Sequence, residues 1–496
     1  MGIKRYYATK DNTITNAFEA NLTTRGTGSN MGAADILEVF SIFGQVSSSS
    51  GLTTEKSRAI IEFPIADISS SRDAGTIPAS GSVNFYLRLF NAKHGQTLPK
   101  QFNLVVAAIS RSWSEGVGLD MENYSDAGVS NWLFGSEGGA WAKQGGDFLT
   151  GSTHSTGSQF FDNGTEDLEI NVTTLVEQWL DGTRPNYGFG VFLTSSEEDS
   201  TSRSFYTKKF FSRSSEFFFK RPVIEARFAP TIFDDRGQFF YSSSLAPAAD
   251  NLNTLFLYNR IRGRLVNIPS IGTGNIFVSL FSGSSVPTGS AINLVIDNTN
   301  VRTGSPTVAT GTHVSTGIYK CTFALTAAAT PLETLFDVWH NGNLTTQFKT
   351  GSIEPLTFEA SSDAFSERYL NSITNLKSVY RPDETAQFRV YTRPRNWSPN
   401  IYTVADGKPE TTIIPSSSFA VHRLADDLKI IPFGTGSDLE TLLNYDDRGN
   451  YFELDMGMLE PDYAYGIQLC HYNEYTNKWD VQSEVFKFRV EKLQAE

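Results

Sequence analysis

The stretch NVTTLVEQWLDGTRPNYGFGVFL (171–193) changes its hydrophobic rhythm halfway along. Val172, Leu175, Val176, Trp179 and Leu180 recur at the i, i+3, i+4, i+7, i+8 spacing that draws one apolar stripe on a helix. Thr174 and Glu177 match a capping box, with Asn171 as an alternative N-cap. Asp181-Gly182 supplies a left-handed stop, and Pro185 bars continuation. Then Tyr187, Phe189, Val191 and Leu193 alternate with Gly188, Gly190 and Phe192, which is strand periodicity. A short helix feeding a glycine-spaced strand is expected to lie across the open end of a β-sandwich, as a lid on its core. Gly188 and Gly190 are expected to permit close backbone approach.

The flanking sequence has the same β character. AIIEFPI (59–65), SVNFYLRLF (82–90), FNLVVAAIS (102–110), DLEINV (167–172), SFYTKK (204–209) and PVIEARF (222–228) read as strands between Gly, Ser and Thr clusters. We therefore read residues 1–229 as a jelly-roll β-sandwich and 230–241, with its Asp234-Asp235-Arg236-Gly237 turn, as a linker. IFVSLF (276–281), INLVID (292–297) and GIYKCTFAL (317–325) suggest an immunoglobulin-like sandwich over 242–360, with Tyr319 as a corner tyrosine. QFRVYTRP (387–394), SFAVHRL (418–424) and MLEPDYAYGIQL (458–469), also with a corner tyrosine, suggest an immunoglobulin- or fibronectin-like sandwich over 361–496. The expected class is all-β, three sandwiches in series.

A length of 496 residues accommodates three domains, each with its own core. The 37 Phe and 19 Tyr favour strands, and the net charge of -13 argues against nucleic acid as a partner, since no basic excess exists to neutralise phosphates. Cys321 and Cys470 fall in different expected domains, so both are expected as free thiols in a reducing compartment. The opening MGIKRYYATKDNT lacks the apolar core of a signal peptide, and no run approaches the ~20 apolar residues of a membrane span. A soluble product made in the cytoplasm, without membrane contact, is expected.

The ordered pieces ISRSWSEGVG (109–118), NWLFGSEGGAWAKQGGDF (131–148), NVTTLVEQWLDG (171–182), NYGFGVFLTSSE (186–197) and SFYTKKFFSRSSEFFFKRPVIEARF (204–228) resemble the DNRLRE-type sandwich. That domain is carbohydrate-binding-module-like and occurs in bacterial surface proteins and phage virion proteins. The segment NLKSVYRPDETAQFRVYTRPRNWSPNIYTV (375–404) is similar to structural proteins of T4-like marine phages. The loops QVSSSSGLTTEK (45–56) and FSRSSEFFF depart from the family pattern, which puts its ligand site in question. The resemblance implies a tailed-phage virion structural protein of neck, tail or capsid surface, made in the host cytoplasm and contacting other virion proteins and copies of itself. A carbohydrate-binding adhesin or fibre that recognises host glycans is the alternative, and a polysaccharide depolymerase the third reading. The family also implies an aromatic sugar platform at Trp113, Trp132 and Trp141; core packing is the competing role for these rings.

No nucleophile elbow, P-loop, HExxH or CxxC pair appears, six scattered histidines suggest no metal centre, and we expect no enzyme and no cofactor. The exception weighed is Ca²⁺, for which Glu115, Asp120, Glu122 and Asp126 offer hard oxygen ligands on a glycine-bearing loop; a solvated acidic loop is the alternative. Phe210, Phe211, Phe217, Phe218 and Phe219, with Arg213, Lys220 and Arg221 beside them, read as a subunit-contact patch or as a loop tucked over the sandwich.

Overall fold

The computed structural model describes residues 2–47, 51–93, 100–121, 129–151, 154–199, 202–229, 232–327, 332–358, 368–398, 401 and 411–492. The protein is nearly all β and consists of β-sandwiches, divided into two compact units, Gly2–Phe228 and Ala229–Glu496.

In the first unit a four-stranded sheet runs Ile3–Tyr7, Val223–Arg227, Asn84–Leu89, Leu168–Asn171 in spatial order. A seven-stranded sheet faces it, ordered Ser204–Phe211, Ile36–Ser47, Gly51–Glu62, Phe189–Leu193, Phe102–Ala108, Thr156–Phe161, with Lys10–Thr15 also paired to Gly51–Glu62. Alternation decides what goes inside: Phe85, Leu87 and Leu89 from the first sheet meet Ala59, Ile61, Leu104 and Val106 from the second.

Two helices close this core. Helix α1 spans Ile65–Asp73 and helix α2 spans Thr173–Leu180. Leu175, Val176 and Trp179 of α2 are buried in the core, and Trp179 lies 4.7 Å from Phe189, so the lid forms as expected. Its N-terminus differs from the expected capping box. The Thr173 N–H bonds to Asn171 Oδ1, while Glu177 turns away to take both Nη groups of Arg72 on α1 at 2.7 and 2.8 Å. Gly182 takes φ +77°, the left-handed stop. Gly188 and Gly190 hold the close approaches: a Cβ on the first would sit 2.0 Å from Ile61 O, and on the second 2.0 Å from the Phe148 ring.

The second unit contains a six-stranded sheet in the order Asn253–Tyr258, Ile318–Phe323, Ala309–Ser315, Ile276–Ser282, Leu335–His340, Gln347–Ile353. INLVID forms no strand, its backbone bonding singly to Leu280, Pro306 and Ala324. A second sandwich pairs Tyr369–Ile373, Thr385–Pro394, Gly449–Asp455 and Asn444–Asp446 in one sheet, and Val379–Tyr380, Lys478–Val490, Tyr463–Asn473, Ser417–Arg423 and Leu428–Ile431 in the other. Tyr319 and Tyr465 are both buried, but only Tyr465 makes the short-range bond of a tyrosine corner, the hydroxyl of Tyr319 reaching backbone 47 residues away. Tyr319 donates its hydroxyl to Gly272 O at 2.8 Å, and Tyr465 donates to Glu460 O at 2.5 Å, five residues upstream. Cys321 and Cys470 are free and buried.

The stretch read as a linker is built into this second unit. Phe233 bridges and stacks on Tyr445, and Asp235 accepts from Thr254 N–H of the six-stranded sheet and from Tyr445 O–H of the second sandwich. Arg236 reaches the fully buried Asp337 at 2.5 Å, whose other oxygen accepts the Trp339 indole N–H. Turn chemistry alone does not separate a linker from a buried strut.

Two outcomes are expected. Trp179→Ala is expected to cost about 3–5 kcal/mol as a large core truncation, read by urea unfolding, with the native indole shielded from iodide. Asp337→Ala, which strands a buried guanidinium, is expected to cost about 3–5 kcal/mol in the same assay. A loss near zero in either case contradicts the packing described.

Candidate functional site

The seven-stranded sheet is apolar on its outer face as well. Ile14, Ile60 and Ile109 present there a second small core, covered by Trp113, Trp132 and Trp141 from the loops beyond strand Phe102–Ala108. A hairpin, Phe134–Ser136 with Gly139–Ala140, holds Trp132 and Trp141 on its two flanks. Trp113 donates its indole N–H to Tyr187 O at 2.9 Å, and Trp141 donates to Asn131 O at 2.8 Å. The three rings are 3%, 5% and 5% exposed. This corrects the sugar-platform expectation: Trp113, Trp132 and Trp141 are core, because a sheet with Ile60 on its outer face needs a cover there.

Beside this layer is an open cleft of about 510 Å³, bordered by Lys56, Arg58, Trp132, Glu198 and Asp199 with Asn16, Thr54 and Gln144. Arg58 organises it. The guanidinium lies 5.4 Å from the Trp132 ring and 5.4 Å from Phe192, and grips Glu198 through two bonds of 2.9 and 2.5 Å. Lys56 pairs with Asp199 at 2.7 Å. The cleft thus offers a ring edge, amides, a hydroxyl and two ion pairs.

Glu115 of the acidic loop is already committed. Glu115 takes Nε and Nη2 of Arg213 at 2.6 and 2.5 Å and also accepts the Asp11 N–H at 2.8 Å. A carboxylate so occupied is not a free Ca²⁺ ligand, which corrects that assignment for Glu115. Asp120 lies in the adjoining exposed loop, and Glu122 and Asp126 lie outside the described residues. Among the described residues no group of three His, Cys, Asp or Glu converges for a metal. Burial pushes the Asp11 carboxyl up to about 7, the bond from Arg213 N–H opposing and the nearby Glu115 charge reinforcing the rise.

The aromatic run divides between core and surface. Phe210 is fully buried in the main core, correcting its assignment to a contact patch, since alternation turns it inward with Lys208. Phe211 packs edge-on to Phe217, and Phe218 lies against Tyr7 and Phe219. Arg213 is held by Glu115, Lys220 lies over the Phe90 ring, and Arg221 donates to Ser215 O. Phe218–Lys220 forms a single 3-10 turn, so the run straps the sandwich rather than extending a strand. Phe217 remains 53% exposed.

The sequence reading missed three arrangements: the Arg58 clamp, the Lys208 site described below, and Glu225 ringed by Arg5, Arg88 and Arg227 at 2.7–3.0 Å. Burial raises the Glu225 carboxyl, but the three guanidiniums outweigh it and hold it down at about 2. Strand alternation does place Lys208 inward; partners far away in sequence leave no local signal. Burial likewise holds the His471 imidazole down to about 4, between Ser417 and Asn371.

No protein-family model matches this chain, and no curated protein does. Several solved structures are similar over part of it. A chimeric titin Z1Z2-Z1Z2 tandem is 10% identical over 44% of this chain and 84% of its own, with a TM-score of 0.15. The N-terminal Ig1-2 module of the Drosophila receptor protein tyrosine phosphatase DLAR is 8% identical over 49% and 91%, with a TM-score of 0.14. Bovine butyrophilin is 7% identical over 48% and 91%, with a TM-score of 0.13. At such scores these likenesses carry no argument about function. No helix among the described residues is long and apolar enough to cross a membrane.

Asp11 gives a pH test. A carboxyl raised from 3.8 to about 7 keeps its proton in the fold at pH values where the unfolded chain has released it. Its stabilising contribution is therefore complete below the unfolded pKa and is lost as pH rises through about 7. Asp11→Asn is expected to gain in Tm relative to the wild type from pH 4 to 8, by about 2–4 °C for each kcal/mol recovered. A Tm difference that is flat with pH contradicts the buried carboxyl.

Proposed function

We propose that this protein is a structural component of a tailed-phage virion, in its neck, tail or capsid surface, working through contacts with other virion proteins and copies of itself. The family resemblance of its sequence suggests the setting. The observation that carries the reading is how the first unit uses its side chains. Its Trp cluster and its buried Arg and Glu residues are spent on internal packing, while Phe160 and Phe205, on the two edge strands of the seven-stranded sheet, are 55% and 53% exposed, as is Phe217 at 53%. Edge strands that carry exposed aromatics need cover, and a neighbouring subunit supplies it.

A second reading is recognition of a host glycan in the cleft between Arg58, Trp132 and Asp199. Its mixture of a ring edge, amides and charged pairs suits a polyol. Depolymerase chemistry has less support, because the cleft carboxylate Glu198 is held by Arg58.

The structural reading expects the protein to co-purify with particles at a fixed multi-copy ratio. It further expects Phe205→Ser with Phe217→Ser to fold normally but to enter particles at least several-fold less. Normal incorporation of the folded double variant contradicts it. Saturable binding on a sugar array, abolished by Gln144→Ala, supports the glycan reading instead.

A further inference from the structure

Lys208 is fully buried in strand Ser204–Phe211 of the first unit. Its Nζ donates to Asn91 Oδ1 at 2.8 Å, Gly164 O at 3.0 Å and Glu166 O at 2.6 Å. The rings of Phe161 and Phe210 lie 4.9 and 5.1 Å from the same nitrogen. Asn91 is held just as firmly: it bridges to Phe210, with backbone bonds Phe211 N–H to Phe90 O and Ala92 N–H to Lys209 O on either side, and its own N–H donates to Asp167 Oδ1 at 2.7 Å.

Burial pulls the Lys208 ammonium down to about 8, against the opposing pull of the Glu166 and Asp167 carboxylates. A fraction of the amine is therefore neutral, hence nucleophilic, near neutral pH. Burial raises the Glu166 carboxyl, but backbone N–H bonds led by that from Asn163, together with the nearby Lys208 charge, hold it below its ordinary value, so it stands ionised as a proton acceptor, with Oε2 lacking a hydrogen-bond partner. The amine nitrogen lies 2.8 Å from the carboxamide oxygen of the group it would attack. Such fixed proximity removes much of the barrier to acyl transfer.

We propose that Lys208 and Asn91 join through an isopeptide bond that forms within the folded first unit, with Glu166 carrying the protons. Glu166 takes a proton from the ammonium, and the free amine attacks Cγ of Asn91, forming a carbon–nitrogen bond. The second proton lost by the lysine nitrogen passes to Nδ2 of Asn91, the Cγ–Nδ2 bond breaks, and nitrogen leaves as ammonia. Ammonia then takes the first proton back from Glu166, so an ammonium and a carboxamide become a secondary amide and an ammonium ion. Nothing is oxidised or reduced, and no cofactor takes part. The bond ties the edge strand of the seven-stranded sheet to the segment following Asn84–Leu89 of the facing sheet, across 117 residues of chain. A covalent closure of that length restricts the unfolded chain strongly. The inference stands on the Lys208 surroundings and not on the virion reading.

Intact mass of the purified full chain, after incubation at mildly alkaline pH, is expected one ammonia below the sequence mass. Digestion is expected to yield a branched peptide joining Asn91 to Lys208. Lys208→Arg and Glu166→Gln are expected at their full sequence masses, with Glu166→Gln still folded but melting below the wild type. A wild-type chain at full sequence mass overturns the proposal, and so does loss of ammonia without the branched peptide; Lys208 is then a caged ammonium only.

Discussion

A β-sheet whose central strands are buried on both faces is the constraint from which the first unit follows. Strand Gly51–Glu62 sends Ala59 and Ile61 into the space between the sheets and Ile60 outward, and all five residues of Phe189–Leu193 are buried. A sandwich exposed to water on its outer faces has no use for Ile60 there. Once that face is apolar, the long connection after Phe102–Ala108 has to bring hydrophobic cover, and Trp113, Trp132 and Trp141 provide it. Residues that look in sequence like equipment for a ligand are thereby part of the fold.

The charged residues follow the same economy. Arg72 with Glu177 ties the two helices, Arg213 with Glu115 ties the acidic loop to the segment after the edge strand, and three arginines surround Glu225. In the second unit, Arg236 with Asp337 and Arg389 with Asp446 do similar work. Buried pairs of this kind add little net stability, yet removing one partner is costly, so they fix which elements meet.

Local spacing made the all-β class, helix α2, the strand after it and the corner tyrosine Tyr465 legible. Helix α1 was not legible: IADISSSRD offers Ile65 and Ile68 amid serines, and residue 65 follows an apolar run that reads as strand. Not seeing α1 hid the partner of Glu177, and the capping-box reading took its place. For the Trp layer, core packing stood beside a sugar platform, and loop residues have no period to show which way they face. Glu115 looked like a free carboxylate because its Arg213 lies 98 residues away. Between a contact patch and a tucked loop the run after Phe210 stayed undecided in sequence, because alternation stops where the 3-10 turn begins.

The central claim is that the tryptophan layer is a second core and not a binding surface. Hydrogen exchange at the indole N–H groups of Trp113 and Trp141 tests it most directly, because each donates to a backbone carbonyl under cover. The account predicts exchange as slow as that of the amides in strand Phe189–Leu193, lost only when the first unit unfolds. Exchange at the rate of exposed indoles, slowed by added sugar, would contradict it.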